Sequence, residues 1–379
     1  MQSRYFVQGA LGAAVLLAIA LSFFITKQSN PASHGTHVTQ RLLADVGMLK
    51  CTPQQAVSQA DRFPATEFIQ SACAPHMWME QMQAQRPHGK HILIDIGCNK
   101  GYHVAESLDL YAPELGVNQP RMRTALGEVQ KQLNLTSEMC GACGCSGLRA
   151  SPVGGGPREV VIHCFEPSDR NYGLLLHGRQ QLFTGSLSAP RQPGPLTLQR
   201  GTSSATWHIY NMAVSNFSGS AAFSSSCDTE LCHLESGPSG AAAGQYTVQV
   251  VTVDEVMKRW VGHNRVSLLK VDTEGYDPDV LRGAENTFSS QAVDLVIFEY
   301  HGIGRWKDET LAGIVVWMEA KGYACYFEGN PFIYKLSRGC WNPKYEIKTW
   351  SNVVCGRAGD WPEMLLDSRS YLRQMTAQQ

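Results

Sequence analysis

From residue 91 onward the chain alternates short apolar runs with stretches of helical spacing. Residues 91–97 (HILIDIG) are almost wholly apolar and end in glycine, the pattern of a strand buried on both faces of a parallel sheet. After the turn Asn99-Lys100-Gly101, Val104, Ala105, Leu108 and Tyr111 recur at helical spacing, and Pro113 ends the pattern. Residues 159–166 (EVVIHCFE) predict a second buried strand, closed by Pro167 and followed by a helix over 168–183. Further strands are predicted over 207–215, 246–253, 266–272 and 293–300, with Asp254 placed to cap the helix after the second of these. One helix is predicted between 272 and 293 and another over 309–321. Residues 323–328 and 332–336 flank Gly329-Asn330-Pro331 and predict a hairpin. Residues 185–206 and 235–244, rich in Ser, Pro and Gly, read as loops, and 114–158 reads as a surface insertion. Strands alternating with helices predict a doubly wound α/β sheet, with the hairpin as an antiparallel C-terminal edge. In such a sheet a ligand sits at the carboxyl ends of the strands, near the switch point.

The first 30 residues follow a different pattern. Residues 5–26 carry no charge, with Arg4 before them and Lys27 after. As a helix, this segment is long enough to cross a hydrocarbon layer of roughly 30 Å. A cleaved signal peptide is the alternative, with Ala18-Ile19-Ala20 as a small-x-small site. The apolar run continues through Phe23, Phe24 and Ile25, which favours an uncleaved anchor.

Composition narrows the classes. Hydrophobic residues make up 43% and charged residues 17%, so the chain can bury a core and global disorder is excluded. Lys and Arg number 32 against 33 Asp and Glu, without the basic excess of a nucleic-acid binder. Twelve cysteines and two sequons, Asn134-Leu135-Thr136 and Asn216-Phe217-Ser218, point to an oxidising, glycosylating compartment. With the anchor, they predict a single-pass type II protein of the Golgi or endoplasmic reticulum with a lumenal catalytic part, or a secreted one after signal cleavage. Cys140, Cys143 and Cys145 form a disulfide-rich cluster or, as the competing reading, three zinc ligands. Cys227 and Cys232 can pair locally. Cys98 and Cys164 fall in apolar strands and read as buried free thiols.

Three motifs sit at predicted strand ends. In Asp95-Ile96-Gly97-Cys98-Asn99-Lys100-Gly101, glycine after the first strand allows the backbone to approach a ligand closely. The spacing G-x-x-x-G is not the dinucleotide fingerprint and lacks its pyrophosphate cradle. In Phe165-Glu166-Pro167, the acidic residue can accept both hydroxyls of a ribose. Alternation along 268–275 (LLKVDTEG) puts Lys270 and Asp272 on one side, with Glu274 at the turn and Lys270 paired to a carboxylate. Glu299-Tyr300-His301 ends the neighbouring strand.

These motifs, in this order, resemble the FkbM-type methyltransferases. The family pattern Asp-x-Gly-Ala-Asn-x-Gly is matched by Asp95, Gly97, Asn99 and Gly101, with Cys98 replacing Ala. Phe-Glu-Pro is matched at 165–167, Ala-Val-Ser at 213–215, Leu-Lys-x-Asp-x-Glu-Gly at 269–275 and Leu-x-Gly-Ala at 281–284. The resemblance implies a Rossmann-like methyltransferase sheet that uses S-adenosylmethionine and methylates hydroxyl oxygens. It places Asp95, Gly97, Asn99, Gly101 and Glu166 at the cofactor. Asp272, Glu274 and His301 are then the candidates for proton transfer, and Asp272, Glu274 and Glu299 could instead hold a divalent cation such as Mg²⁺. The expected organisation is a cytoplasmic tail 1–4, an anchor 5–26, a stem and lead-in 27–90, a methyltransferase domain 91–357 with its insertion 114–158, and a C-terminal tail 358–379. The compartment implies a glycan or small-molecule hydroxyl acceptor, and Tyr300, Trp306 and Trp317 are available either to stack on a sugar or to pack the core. Two other classes compete. One is a type II glycosyltransferase that binds a nucleotide-sugar metal through Asp277-Pro278-Asp279. The other is a catalytically inactive interaction module of the same fold.

Overall fold

The computed structural model describes residues 48–64, 78–79, 89–134, 156–186, 193–224, 244–329 and 331–377. The segment 5–26, the cluster Cys140/Cys143/Cys145 and the pair Cys227/Cys232 lie outside the described residues. Among the described residues no helix is long and apolar enough to cross a membrane.

The central layer is built from the expected apolar runs. Strands β1 (Gly89–Ile96), β2 (Arg158–Phe165), β4 (Ser203–Tyr210), β8 (Val266–Val271) and β9 (Val293–Tyr300) run parallel in the spatial order β9-β8-β1-β2-β4. Both faces of this core are covered. One apolar cluster joins Leu93, Ile162, Leu268 and Leu295 to α2 (Tyr102–Tyr111), α3 (Gln119–Leu133) and α4 (Asp169–Thr184). The other joins Ile94, Phe165, Leu269 and Phe298 to α6 (Asp277–Arg282), α7 (Glu285–Ser289) and α8 (Leu311–Ala320). Helix boundaries follow local capping: Ser168 accepts from Asn171 N at α4, and Thr310 accepts from Gly313 N at α8.

Several expectations are corrected. The loop expected over 185–206 contains strand β3 (Leu196–Arg200), antiparallel to β4 at the sheet edge. The strand expected over 207–215 breaks after Tyr210. Its end becomes β5 (Ala213–Val214), which joins β6 (Gly219–Ser224) and β7 (Gln245–Val251) in a separate three-stranded sheet. The hairpin of β10 (Tyr323–Phe327) and β11 (Tyr334–Lys335) forms as expected and makes an antiparallel edge of the sheet. An unanticipated strand, β12 (Ser351–Arg357), lies antiparallel between β9 and β10. The region 114–158 is not wholly a surface insertion, because α3 buries Met122, Ala125, Leu126 and Val129, an i, i+3, i+4, i+7 stripe, against the core. Asp254 does not cap its own helix, α5 (Val253–Val256), which Thr252 caps. Asp254 instead accepts from the backbone N–H groups of Asn286 and Thr287 at the start of α7.

Cys98 and Cys164 are not free thiols: they form a disulfide, as do Cys51–Cys340 and Cys325–Cys355. Cys51 precedes α1 (Pro53–Asp61), where Gln59 is fully buried and donates to Lys335 O and Tyr345 Oη. Part of the segment read as stem and lead-in thus packs onto the C-terminal half. The C-terminal residues fold as well, into α9 (Trp361–Arg369) and α10 (Tyr371–Ala377). There Glu363 and Asp367 bind the fully buried Lys335 Nζ at 3.0 and 2.7 Å.

Candidate active site

Sheet register brings the site together. One residue past the last apolar pairs, the same registers carry Glu166, Gly97, Asp272, Glu299 and Asn352 across consecutive strands. Two backbone bonds extend this seam, Asp272 N–H to Ile96 O (3.0 Å) and Gly97 N–H to Phe165 O (2.9 Å). Alternation points these residues to the face of Leu93, Leu268 and Leu295, four positions earlier on their strands. The strand order reverses between β1 and β8, and a cleft of about 600 Å³, including its open mouth, lies there.

Of the five cofactor candidates, the cleft wall contains Gly97, Asn99 and Glu166. Glu166 is buried and accepts from Asn99 N–H at 2.8 Å and Ser168 N–H at 2.9 Å. Burial outweighs these bonds and pushes its carboxyl up to about 7. Asn99 sits at φ 45°, a left-handed conformation costly for a non-glycine residue, and its Oδ1 is buried without a hydrogen-bond partner. Gly97 serves a different purpose from the one expected. A Cβ there would stand 1.7 Å from Asp272 O, so glycine lets the neighbouring strand approach rather than the ligand.

Asp95 and Gly101 do not line the cleft. Gly101 starts α2, and a Cβ on it would strike Leu175 and Trp207 at 2.9 Å, so its role is helix packing. Asp95 is buried outside the cleft lining, with His103 Nδ1 at 3.1 Å and Lys270 Nζ at 3.8 Å. Burial works to raise this carboxyl, but Lys270 and His103 prevail and hold it below its ordinary value.

Asp272, Thr273 and Glu274 form the opposite wall. Lys270 pairs with a carboxylate as expected, its Nζ 2.7 Å from Asp272 Oδ2. Burial opposes its charge, yet Asp272 and Asp95 hold its pKa above the ordinary value. Glu274 is the second non-glycine residue of the cleft wall in the left-handed region, at φ 55°.

Glu299 and His301 stand one strand further along and outside the cleft lining. Burial, together with Asp272, Glu274 and Asp277, raises the Glu299 carboxyl well above its ordinary value. Burial lowers His301 to about 4, so the ring is neutral at physiological pH. Among the described residues, no group of three or more His, Cys, Asp or Glu side chains is arranged to hold a metal ion, so Asp272, Glu274 and Glu299 are not placed as the alternative cation site.

The Asp277-Pro278-Asp279 pair is also divided by the fold. Asp277 is fully buried, accepts from Glu299 N–H at 3.1 Å and is pushed up by burial to about 7. Asp279 faces Arg305 Nε at 3.4 Å and Asn216 Nδ2 at 3.1 Å. Tyr300 and Trp306 are fully buried and Trp317 packs edge-on against Phe288, so all three are packing residues.

The cleft also has walls that the motif reading missed. Met212, Ala213, Val214 and Phe223 come from the small sheet and its approach, and Asn171 from α4. The apolar residues at 212–214 and 221–223 were the available signal, but nothing local said that they would turn away from the main sheet toward the cleft.

Residues 153–325 match the family model of the methyltransferase FkbM domain. The match starts beyond the first motif, Asp95–Gly101, which the β1–β2 and β1–β8 pairings bring against it. Among solved structures, the chain is similar to methyltransferase FkbM from Methylobacillus flagellatus KT, at 10% identity and a TM-score of 0.34. That alignment covers 80% of this chain and 58% of the other. No curated protein matches the chain. The resemblance read from the motifs is borne out by this family match over residues 153–325.

Proposed function

We propose that the protein is an S-adenosylmethionine-dependent O-methyltransferase acting on a hydroxyl of a glycan or another acceptor of the secretory pathway. The charge of the cleft carries this reading. Its wall holds three carboxyl groups, Glu166, Asp272 and Glu274, and no Lys, Arg or His among the described lining residues. Such a wall favours a cationic ligand bearing hydroxyl and ammonium donors. It opposes a nucleoside diphosphate, which would bring further negative charge against it, and this disfavours a glycosyltransferase.

The residues present fit S-adenosylmethionine. The unpartnered Asn99 Oδ1 and the free lone pairs of Glu166 are acceptors for amino and hydroxyl groups. Ile96, Phe165, Met212, Val214 and Phe223 offer an apolar lining for a base and ribose. When bound, the cofactor supplies a methyl group already activated for transfer by its positive sulfur. The chain then has to hold an acceptor hydroxyl in line and remove its proton, and alignment alone is worth up to about 7–11 kcal/mol.

Glu166 supplies the test. Hydrogen bonds from a ribose diol favour its charged form. Cofactor binding near pH 7 is therefore expected to release a proton, read by calorimetry in buffers of different ionisation enthalpy. Glu166→Gln should abolish the release and weaken binding. Selective binding of a UDP-sugar over S-adenosylmethionine would reject the function.

A lumenal or secreted location is supported by three disulfides and by the exposure of both sequon asparagines, Asn134 and Asn216. With residues 5–26 as a signal anchor, the catalytic part should resist protease in sealed microsomes and become sensitive after detergent. Digestion in intact vesicles would contradict this topology.

A further inference from the structure

We propose that the acceptor hydroxyl is seated between Glu299 and His301, with His301 Nε2–H donating to the hydroxyl oxygen and Glu299 Oε2 receiving its proton. The inference rests on the O-methyltransferase reading and divides roles that the sequence leaves open.

Two buried polar atoms define the seat. Glu299 Oε2 and His301 Nε2 both lack a hydrogen-bond partner. They lie 3.7 Å apart, too far to bond each other and close enough for one oxygen to bond both. The His301 side chain is only 2% exposed, and burying an unmet donor is costly, so a polar group belongs there. The Glu299 side chain as a whole is 14% exposed, so the pair lies just beneath the surface on that side, with Oε2 itself buried.

The tautomer follows from the chain. Ile303 N–H donates to His301 Nδ1 at 3.4 Å, and Trp350 stacks on the ring at 4.3 Å. A neutral imidazole that accepts at Nδ1 carries its proton on Nε2. Its Nε2 can therefore donate to a hydroxyl but cannot take that hydroxyl's proton. Glu299 can do so when ionised. The charged groups around it are Asp272, Glu274 and Lys270 from β8 and its turn, and Asp277 from α6; on β12 the residue in register is the uncharged Asn352. Burial, with Asp272, Glu274 and Asp277 beside it, raises the Glu299 carboxyl against the opposing cation of Lys270.

Position completes the argument. Glu299 follows Asp272 in the row, one strand spacing of about 4.8 Å from the cleft wall. In the step, the hydroxyl oxygen forms a bond to the methyl carbon while the carbon–sulfur bond breaks with its electron pair on sulfur. The O–H proton passes to Glu299 Oε2.

Two readouts need no turnover. In crystals soaked with glycerol as the hydroxyl probe, an oxygen of glycerol or water is expected within 3.2 Å of both atoms. In ¹⁵N spectra, assigned by comparison with His301→Gln, Nε2 is expected to carry the proton between about pH 6 and 8. A closed Glu299–His301 contact, or a proton on Nδ1, would overturn the seat. With labelled S-adenosylmethionine and simple alkyl glycosides as acceptors, Glu299→Gln should lose roughly 10²–10⁴ in rate while still binding the cofactor. His301→Gln, which keeps a donor, should outperform His301→Phe. Unchanged turnover in Glu299→Gln would refute the base assignment alone. Failure of the wild type to bind S-adenosylmethionine would refute the parent reading, and the spectra and oxygen position would still decide the seat.

Discussion

Lys270→Met should destabilise the protein by about 3–5 kcal/mol at neutral pH, the range for removing one partner of a buried ion pair. The cation serves two carboxylates, Asp272 at 2.7 Å and Asp95 at 3.8 Å, and its side chain is 15% exposed. Without it, only His103 remains beside Asp95, and Glu299 stays next to Asp272. The pH dependence has a definite sign. In the wild type, Lys270 holds the Asp95 carboxyl below its ordinary value, a contribution lost only as pH falls through that lowered value. In the variant, burial and mutual repulsion raise the carboxyls above their unfolded values. Such groups favour the folded state below the unfolded pKa, and the benefit disappears as pH rises through the folded one. The deficit should therefore be smaller at pH 5 than at pH 8. Denaturant melts at the two pH values measure it, and an equal deficit at both would show that the charges under the cleft are not what Lys270 balances.

Gly97→Ala should cost about 2–5 kcal/mol and abolish cofactor binding even where the fold survives. Two terms add. At φ +75° any Cβ pays a left-handed penalty of about 1–2 kcal/mol. The new carbon would also stand 1.7 Å from Asp272 O, a backbone atom that cannot swing aside as a side chain would. Relieving that overlap means parting β1 from β8, and overpacking of this kind costs about 1–3 kcal/mol. The parted strands carry the two walls of the cleft, so binding should fall more than stability does. Gly185→Ala is the matched control, since Gly185 has φ +69° and open space where its Cβ would go. Equal losses in thermal melts of the two variants would mean that the close approach at Gly97 has no energetic weight.

The two variants probe features that differ in how legible they are. Lys270, Asp272 and Glu274 could be read as a cluster because alternation within one strand is a local property, and the Lys270–Asp272 pair forms as expected. The purpose of Gly97 could not be read, because the atom it avoids lies 175 positions away, on a strand that is adjacent only in the folded sheet. Cys98 and Cys164 were misread for the same reason: two thiols in apolar strands look alike whether or not the β1–β2 pairing brings them together. The helix Gln119–Leu133 was legible and overlooked, since its apolar stripe sits in the sequence but was overshadowed by the sequon and glycines that follow.

By itself, the sequence determined the alternation of buried strands and helices, the carboxylates and glycines at the strand ends, and the resemblance to the FkbM methyltransferases. These depend on side-chain period and chain punctuation, which act over a few residues. The tertiary structure alone decided that β12 lies between β9 and β10, that the small sheet lends Phe223 to the cleft, and that Asp95 and Gly101 stay outside its lining. It also decided that Asp277 is buried away from Asp279, and that His301 Nδ1 faces the Ile303 N–H. Those outcomes depend on which surfaces meet, and contact between residues far apart in the chain is selected by the burial and hydrogen bonding of the whole fold.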